Sequence, residues 1–525
     1  SSFRPPTEPL TNITNTELLC CNNSSVTGST VTPGTITSSG GPTASTDSPF
    51  LDPAGLIGGN SGKEPLIKCG SYVGNESGQK VFVGFEPQWL MIKNATAAEG
   101  WLMVDSMRGI RMDAEENAIE ANDTAAESVS NEYVELTADG FDLIGGGNIN
   151  NDSAETYIYV AIRRPDGYVG KPADAGTDVF QMDTGLNKKP NFDSGFPVDF
   201  AFEKTIAGGN SWSTGARLIQ GRYLYTNTDM AEAAWDKMVF GSNTGWNDHS
   251  SYGSGDQSWM WKRGAGFDVV TYTGNGLARQ IPHSLNQIPE MIWTKKRTTY
   301  YEWNHYHKGL HGGTNPEQYY LQFTSSAEVQ NSGRWNNQAP TATHFSIGTH
   351  ASVNANNANI IAMLFASVAG ISKLGNWVGD GGTQTITLGF QPRFLLLKTW
   401  NTGGGWYMLD TRRGWGAGND ASLQLQEGNA QVSSRDDGAP TATGFTVNIT
   451  SSSNTSTASL AEYIRSDDPI KGVYGYFRGY YENDPSKKRI SVLGYLENRG
   501  LDRTREITDG GFYFSALDAT NDNIV

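Results

Sequence analysis

Apolar and polar residues alternate along most of this chain with a period of two, which predicts short β-strands rather than helices. The clearest case is residues 87–93 (PQWLMIK), where Trp89 and Met91 fall on one face of a strand and Leu90 and Ile92 on the other. A small-residue loop follows, and then a second strand begins at Trp101. The pair recurs at residues 195–217, from Ile288 onward and from Gly389 onward. A Pro starts each run (Pro87, Pro197, Pro289, Pro392) and a Lys closes it (Lys93, Lys204, Lys295, Lys398). A Trp stands eight positions beyond each Lys: Trp101, Trp212, Trp303 and Trp406. Four coincidences at a fixed offset define an internal repeat.

Each copy sits inside a longer order of elements. Opening strands are predicted at residues 67–75, 179–182, 267–272 and 371–378, and closing strands at 156–162, 258–262, 359–366 and 460–464. The closing strands are apolar at nearly every position, as strands covered on both faces are. Related polar turns follow the second strand at 122–127, 227–232, 323–328 and 426–431. The acidic stretch 113–127 is not matched by its counterparts and reads as a solvated loop. The period of about 90–110 residues is too long for a solenoid turn or propeller blade and fits a self-contained sandwich. The fold class expected is therefore all-β: a tandem array of four related antiparallel β-sandwich domains plus a short β-rich C-terminal segment. The units fall at 66–164, 168–263, 267–368 and 371–466, preceded by a Thr/Ser-rich stretch (1–60) and followed by a β segment (467–525). The stretch 1–60 is expected to be an extended connector or the last strands of a domain that began upstream. The four Trp are expected to cap or fill the core of their own sandwich. Short linkers such as Arg164-Pro165 and Arg263-Gly264 predict a stiff rod of units.

Composition supports strands and removes some functions. Of 525 residues 62 are Gly, and only 18% are charged, which suits tight turns and disfavours a helical solenoid. The formal net charge of −16 argues against nucleic acid, which demands clustered Lys and Arg. Three Cys, two of them adjacent at Cys20 and Cys21, draw no disulfide framework, and nothing pairs at zinc-ligand spacing. No apolar run approaches the ~18 residues a membrane span needs, so no membrane insertion is expected. The Ser at position 1 and the absence of a signal peptide suggest a processed chain or a fragment.

Candidate chemistry is sparse. On a strand, His305 and His307 point to the same side and could share a metal ion, though the other units carry no His there. No nucleophile elbow, phosphate loop or nucleotide fingerprint appears, so neither an enzyme nor a cofactor is expected. Aromatic loops special to single units are the candidate ligand-binding residues: Trp246, His249 and Tyr252; Trp335 and Asn336; and Trp415. A ring stacked on the apolar face of a sugar beside an amide that reads its hydroxyls suits carbohydrate.

The order Gly-Phe-x-Pro, Lys, Trp, Asp-Ser/Thr-x-Arg-Gly (Gly84 to Gly109, Gly389 to Gly414), with the closing run from Tyr157 to Pro172, resembles repeated β-sandwich modules of marine bacteriophage (cyanophage-like) tail-fibre proteins. The stretch containing Pro5-Pro6-Thr7, Leu18–Cys21 and Ser48-Pro49-Phe50 resembles the end of a laminin-G/concanavalin-like domain. The resemblance implies a virion tail appendage, extracellular, that attaches to host cell-surface polysaccharide or lipopolysaccharide. It also implies contact with other virion tail proteins and a homo-oligomer, with a trimer favoured. It transfers no catalytic residue. Unit 2 departs from it in lacking the Asp-Ser-x-Arg-Gly piece. The alternatives are a bacterial secreted or surface adhesin or filament subunit and, further off, an envelope polysaccharide depolymerase.

Overall fold

The computed structural model describes residues 14–17, 19–20, 29–31, 66–448, 458–465, 480–481 and 484–488, with breaks at 112–114, 145–146, 166–172, 174, 235–236, 249–254, 380–381 and 402. Most of 1–60 and 467–525 lies outside these residues, and with it the reading of the two terminal stretches.

Every unit is built on one antiparallel sheet in which the closing strand lies between the opening strand and the Pro-to-Lys strand. In unit 1 the order is Ile67–Val73, Thr156–Arg163, Pro87–Asn94, Trp101–Asp105, Ala118–Glu120. Unit 2 orders Phe180–Thr184, Asp256–Trp261, Phe200–Thr205 and Ser213–Ala216 in the same way. Unit 3 repeats it with Phe267–Thr273, Asn359–Phe365, Met291–Lys296 and Asn304–His307. Unit 4 does so with Ser372–Val378, Ala458–Arg465, Pro392–Thr399 and Trp406–Asp410. The central place of the closing strand is why its sequence is apolar on both faces.

A smaller sheet covers one side of each large one and makes the unit a sandwich. In unit 1 it is Gln79–Phe82, Gly140–Leu143 and Val134–Thr137, which enclose Leu90 and Ile92. In unit 4, Leu395 and Leu397 pack with Phe445 and Val447 of the smaller sheet. Three residues before the Pro the chain turns through a left-handed residue, Gly84 (φ 89°), Asn286 (φ 54°) and Gly389 (φ 91°). Gly and Asn tolerate that region, which accounts for the repeated Gly-Phe-x-Pro signature.

Units 2, 3 and 4 do not string out as the rod that the short linkers predict. Their large sheets turn the faces opposite the sandwich cores toward one another and share a single further core. Phe200 and Phe202 of unit 2, Met291 and Trp293 of unit 3, and Phe394 and Leu396 of unit 4 all belong to it. Phe180 meets Phe394 at 5.1 Å between ring centroids, and Phe202 stacks on Trp293 at 5.9 Å. The physical reason is that these sheets are apolar on both faces, so one sandwich per unit leaves the second face uncovered. The Trp eight residues past the Lys lies on that second face, so it fills the joint between units instead of its own sandwich.

Unit 1 joins this ring in two ways: its sandwich core belongs to the same apolar cluster, and a buried cluster of charges lies at the junction. Arg263, in the linker after unit 2, holds both oxygens of Glu86 (2.6 Å each) and Asp268 (2.7 Å), while Arg164 reaches Asp268 at 2.8 Å. All four are buried. Burial pushes the Asp268 carboxyl up, but Arg263 and Arg164 outweigh it and hold the group at about 2.

Candidate functional site

The repeated Lys and Trp meet at the joints of the ring. Lys398 of unit 4 donates from Nζ to the Ser326 carbonyl of unit 3 (2.8 Å) and to its own unit's Gly404 carbonyl (2.5 Å). Lys295 of unit 3 donates to the Asp229 carbonyl of unit 2 (2.8 Å) and to Tyr301. Lys204 of unit 2 donates to the Gly428 carbonyl of unit 4 (3.0 Å) and to Gly208 (2.9 Å). The indoles follow the same circuit: Trp406 Nε1 to Gln322 (2.7 Å), Trp303 Nε1 to Tyr225 (2.8 Å), and Trp212 Nε1 to Gln424 and Glu427 (3.0 Å each). Unit 4 grips unit 3, unit 3 grips unit 2, and unit 2 grips unit 4. The circuit closes as a pseudo-threefold ring.

The carbonyls of neighbouring units that hold the lysines, those of Asp229, Ser326 and Gly428, lie in the polar turns that the sequence repeats. The indole acceptors Tyr225, Gln322 and Gln424 stand one or two residues before those turns. A buried amine surrounded by carbonyl oxygens keeps its hydrogen bonds but loses its water. Burial accordingly pushes Lys398 down to about 8 and, against the opposing pull of Glu302 and Asp229, does the same to Lys295.

The loop aromatics that the sequence singles out for sugar stacking are instead buried. Trp246 is wholly buried, stacks on Phe192 (4.5 Å) and donates to Ser258 Oγ (2.9 Å). Trp335 donates to the Tyr319 carbonyl (3.0 Å) from the core of unit 3. Trp415 donates to the Gly438 carbonyl (2.8 Å) from the core of unit 4. A ring enclosed in this way offers no face to a sugar. His249 and Tyr252 lie outside the described residues.

His305 and His307 do share a face, and it is the one turned to the common core. The His305 ring lies 4.1 Å from Phe323 and 4.8 Å from Trp406. Burial, helped by the charge of Lys398, holds its pKa well below that of an ordinary histidine, so the imidazole is neutral and packs as an aromatic ring. His307 Nδ1 accepts the Gly309 N–H at 2.9 Å. Among the described residues no three His, Cys, Asp or Glu side chains gather where they could hold a metal ion.

Exposed polar chemistry converges in unit 3, where Gln318, Gln330, Asn331, Ser332 and Asn337 line an open depression. The elements around it are short and well fixed. Asn331 Oδ1 caps the helical turn Ser332–Trp335 through the Gly333 N–H (2.8 Å), and the Asn331 N–H donates to the Gln318 carbonyl (2.8 Å). Asn336 (φ 53°) and Asn337 (φ 49°) are both left-handed and end that turn sharply, carrying the Asn337 side chain to the rim. The half-buried ring of Tyr319, which follows Gln318 in the chain, stacks on His311 at 4.3 Å. Asn336 is the one described ligand-binding candidate that remains partly exposed, next to this depression. Gln318 ends the short helical turn Pro316–Gln318 and Gln330 ends the two-residue strand Val329–Gln330, and only their meeting in space gives them a common role.

The family described as a domain of unknown function (DUF7483) matches residues 61–164 and 226–465, together more than half of the chain. The matched spans are unit 1 and the run from late unit 2 through unit 4. The gap between them holds the start of unit 2, where the short helical turn Arg217–Ile219 replaces the Asp-Ser/Thr-x-Arg-Gly piece. No curated protein matches the chain.

Proposed function

As this chain belongs to the DUF7483 family, whose description assigns no activity, we propose from its own residues that it is a structural and binding component of a phage tail fibre. In this role it attaches the virion to host cell-surface glycan. The observation that carries the binding half of the reading is the amide-lined depression of unit 3. An Asn or Gln side chain carries a carbonyl acceptor and two N–H donors, the pair of functions that neighbouring sugar hydroxyls match. Asn331 Oδ1 is held by the Gly333 N–H and Gln330 Nε2 bonds to Gln318 Oε1 (3.3 Å), and the remaining amide groups are left for a ligand. Four such side chains and a Ser hydroxyl around one opening form a polar, uncharged and partly preorganised surface. The interlocked ring supports the structural half, since a platform cross-braced at three joints holds such a surface steady.

The test is retention of the purified chain on immobilised envelope polysaccharide from a susceptible host. Gln330→Ala with Asn337→Ala is expected to lower retention at least tenfold while the circular dichroism spectrum stays unchanged. Full retention by the double variant removes the depression from the reading. Immunogold imaging of virions with an antibody to this chain tests its place on the tail, and label confined to host cells would favour the adhesin alternative.

A further inference from the structure

Unit 1 carries the same Lys and Trp as the three units of the ring, yet its corresponding sheet face is open. Trp101 is 37% exposed, whereas Trp212, Trp303 and Trp406 are at most 2% exposed. Ile158 pairs with Lys93 across the sheet and is 43% exposed, whereas Ile361, paired with Lys295 in the same way, is fully buried. Trp89 and Met91 share this face and are only partly covered. Lys93 Nζ donates within its own unit, to the carbonyls of Asn94 (2.7 Å) and Glu99 (2.9 Å). Its counterparts each send one further bond across a joint, to Gly428, Asp229 and Ser326.

The acceptor side is present as well. In units 1, 2 and 4 the backbone N–H of the repeated Trp donates to the side chain of Asn122, Asn227 or Gln426, which aligns their turns residue by residue. Two positions before that amide stand Tyr225 and Gln424, which accept the indole of a neighbouring unit; two positions after it stand Asp229 and Gly428, which accept the neighbouring lysine. The same offsets in unit 1 give Glu120 and Thr124. Unit 1 therefore holds both halves of the joint and, among the described residues, meets neither half on another unit.

We infer that the chain forms a homotrimer in which three copies of unit 1 close on one another as units 2, 3 and 4 do within one chain. Trp101 and Lys93 of each copy would seat on the Glu120 and Thr124 carbonyls of the next. A self-complementary head-to-tail surface closes into a ring when its rotation divides the circle, and the intramolecular ring shows that this module's rotation closes at three. The apolar patch of Trp89, Met91, Trp101, Ile158 and Ile162 is thereby removed from water. The assembly is independent of the glycan reading, because it uses unit 1 and none of the residues around the depression in unit 3.

The mass of the intact chain in solution tests this. Light scattering coupled to size exclusion is expected to give three times the 56.9 kDa of one chain. Trp101→Asp, and separately Ile158→Asp, should cut the mass to one third while leaving the circular dichroism spectrum intact, since both side chains are surface residues of the single chain. Cys69 lies on this face as an exposed thiol. With Cys20→Ser and Cys21→Ser in place, mild oxidation should cross-link chains through Cys69, and Trp101→Asp should abolish the cross-link. A single-chain or two-chain mass for the unaltered protein overturns the inference, as does an unchanged mass in both Asp variants. A single-chain mass with Trp101 shielded from acrylamide quenching would place another segment of the same chain on the face, and equally overturns it.

Discussion

The indole Nε1 of Trp406 donates to the Gln322 carbonyl, 2.7 Å away, across a joint between two copies of one module. With Lys398 on the adjacent strand it converts a repeated sequence into a closed structure. A fourfold repeat would otherwise read as four separate bodies.

Replacing that indole separates its two contributions. Trp406→Phe keeps an aromatic ring against Phe323 and His305 but leaves the Gln322 carbonyl unpartnered, so a loss of about 1–3 kcal/mol is expected. Trp406→Ala also opens a cavity in the shared core, and a loss of about 3–5 kcal/mol is expected. Urea unfolding followed by tryptophan fluorescence measures both; equal stabilities for the two variants would show that the bond to Gln322 accounts for the whole effect.

The charge cluster between unit 1 and the ring makes a second prediction. Glu86→Gln removes the carboxylate that holds both terminal nitrogens of Arg263 and leaves a buried guanidinium short of its counter-charge. Breaking a buried pair in this way costs about 3–5 kcal/mol. Hydrogen exchange is expected to quicken in unit 1 and the adjoining linker while the joints at Lys295 and Lys398 stay protected. The cluster also fixes an acid limit. The Asp268 carboxyl is held at about 2, below its ordinary 3.8, so its contribution is complete above pH 3.8 and is lost as the pH falls from there toward 2.

His305 gives a pH dependence of the opposite origin. Its folded-state pKa lies well below the ordinary 6.5, so below pH 6.5 the unfolded chain takes up a proton that the folded chain refuses. Stability from this group is therefore present above pH 6.5 and falls as the pH drops below it. His305→Met installs the residue that units 1 and 4 carry at this position, Met103 and Met408. The difference in unfolding free energy between variant and parent should grow in favour of the variant from pH 7 to pH 5. A constant difference across that range would mean that His305 does not remain neutral.

Much of the module is legible in the sequence. The Pro, Lys and Trp offsets located the strand pairs, and the near-continuous apolar run of the closing strand foretold its central place in the sheet. The left-handed residue behind the Gly-Phe-x-Pro signature is equally a matter of local sterics. The joints were less legible. Trp89 and Met91 could be assigned to one face and Leu90 and Ile92 to the other, but which face a neighbour would cover depends on residues a hundred or more positions away. The same distance hides the depression, whose Gln318 and Asn337 are brought together by a turn that Trp335 anchors from within the core.

Alternation, turn residues and repeat spacing depend on contacts within a few residues of each other, and so the sequence alone determined an all-β chain of four related sandwiches. The closure of three units into a ring, with unit 1 left facing outward, was decided by the tertiary structure. It follows from where the second apolar face of each sheet can find another, and that is settled by the meeting of distant surfaces and by carbonyls whose positions no side-chain pattern records.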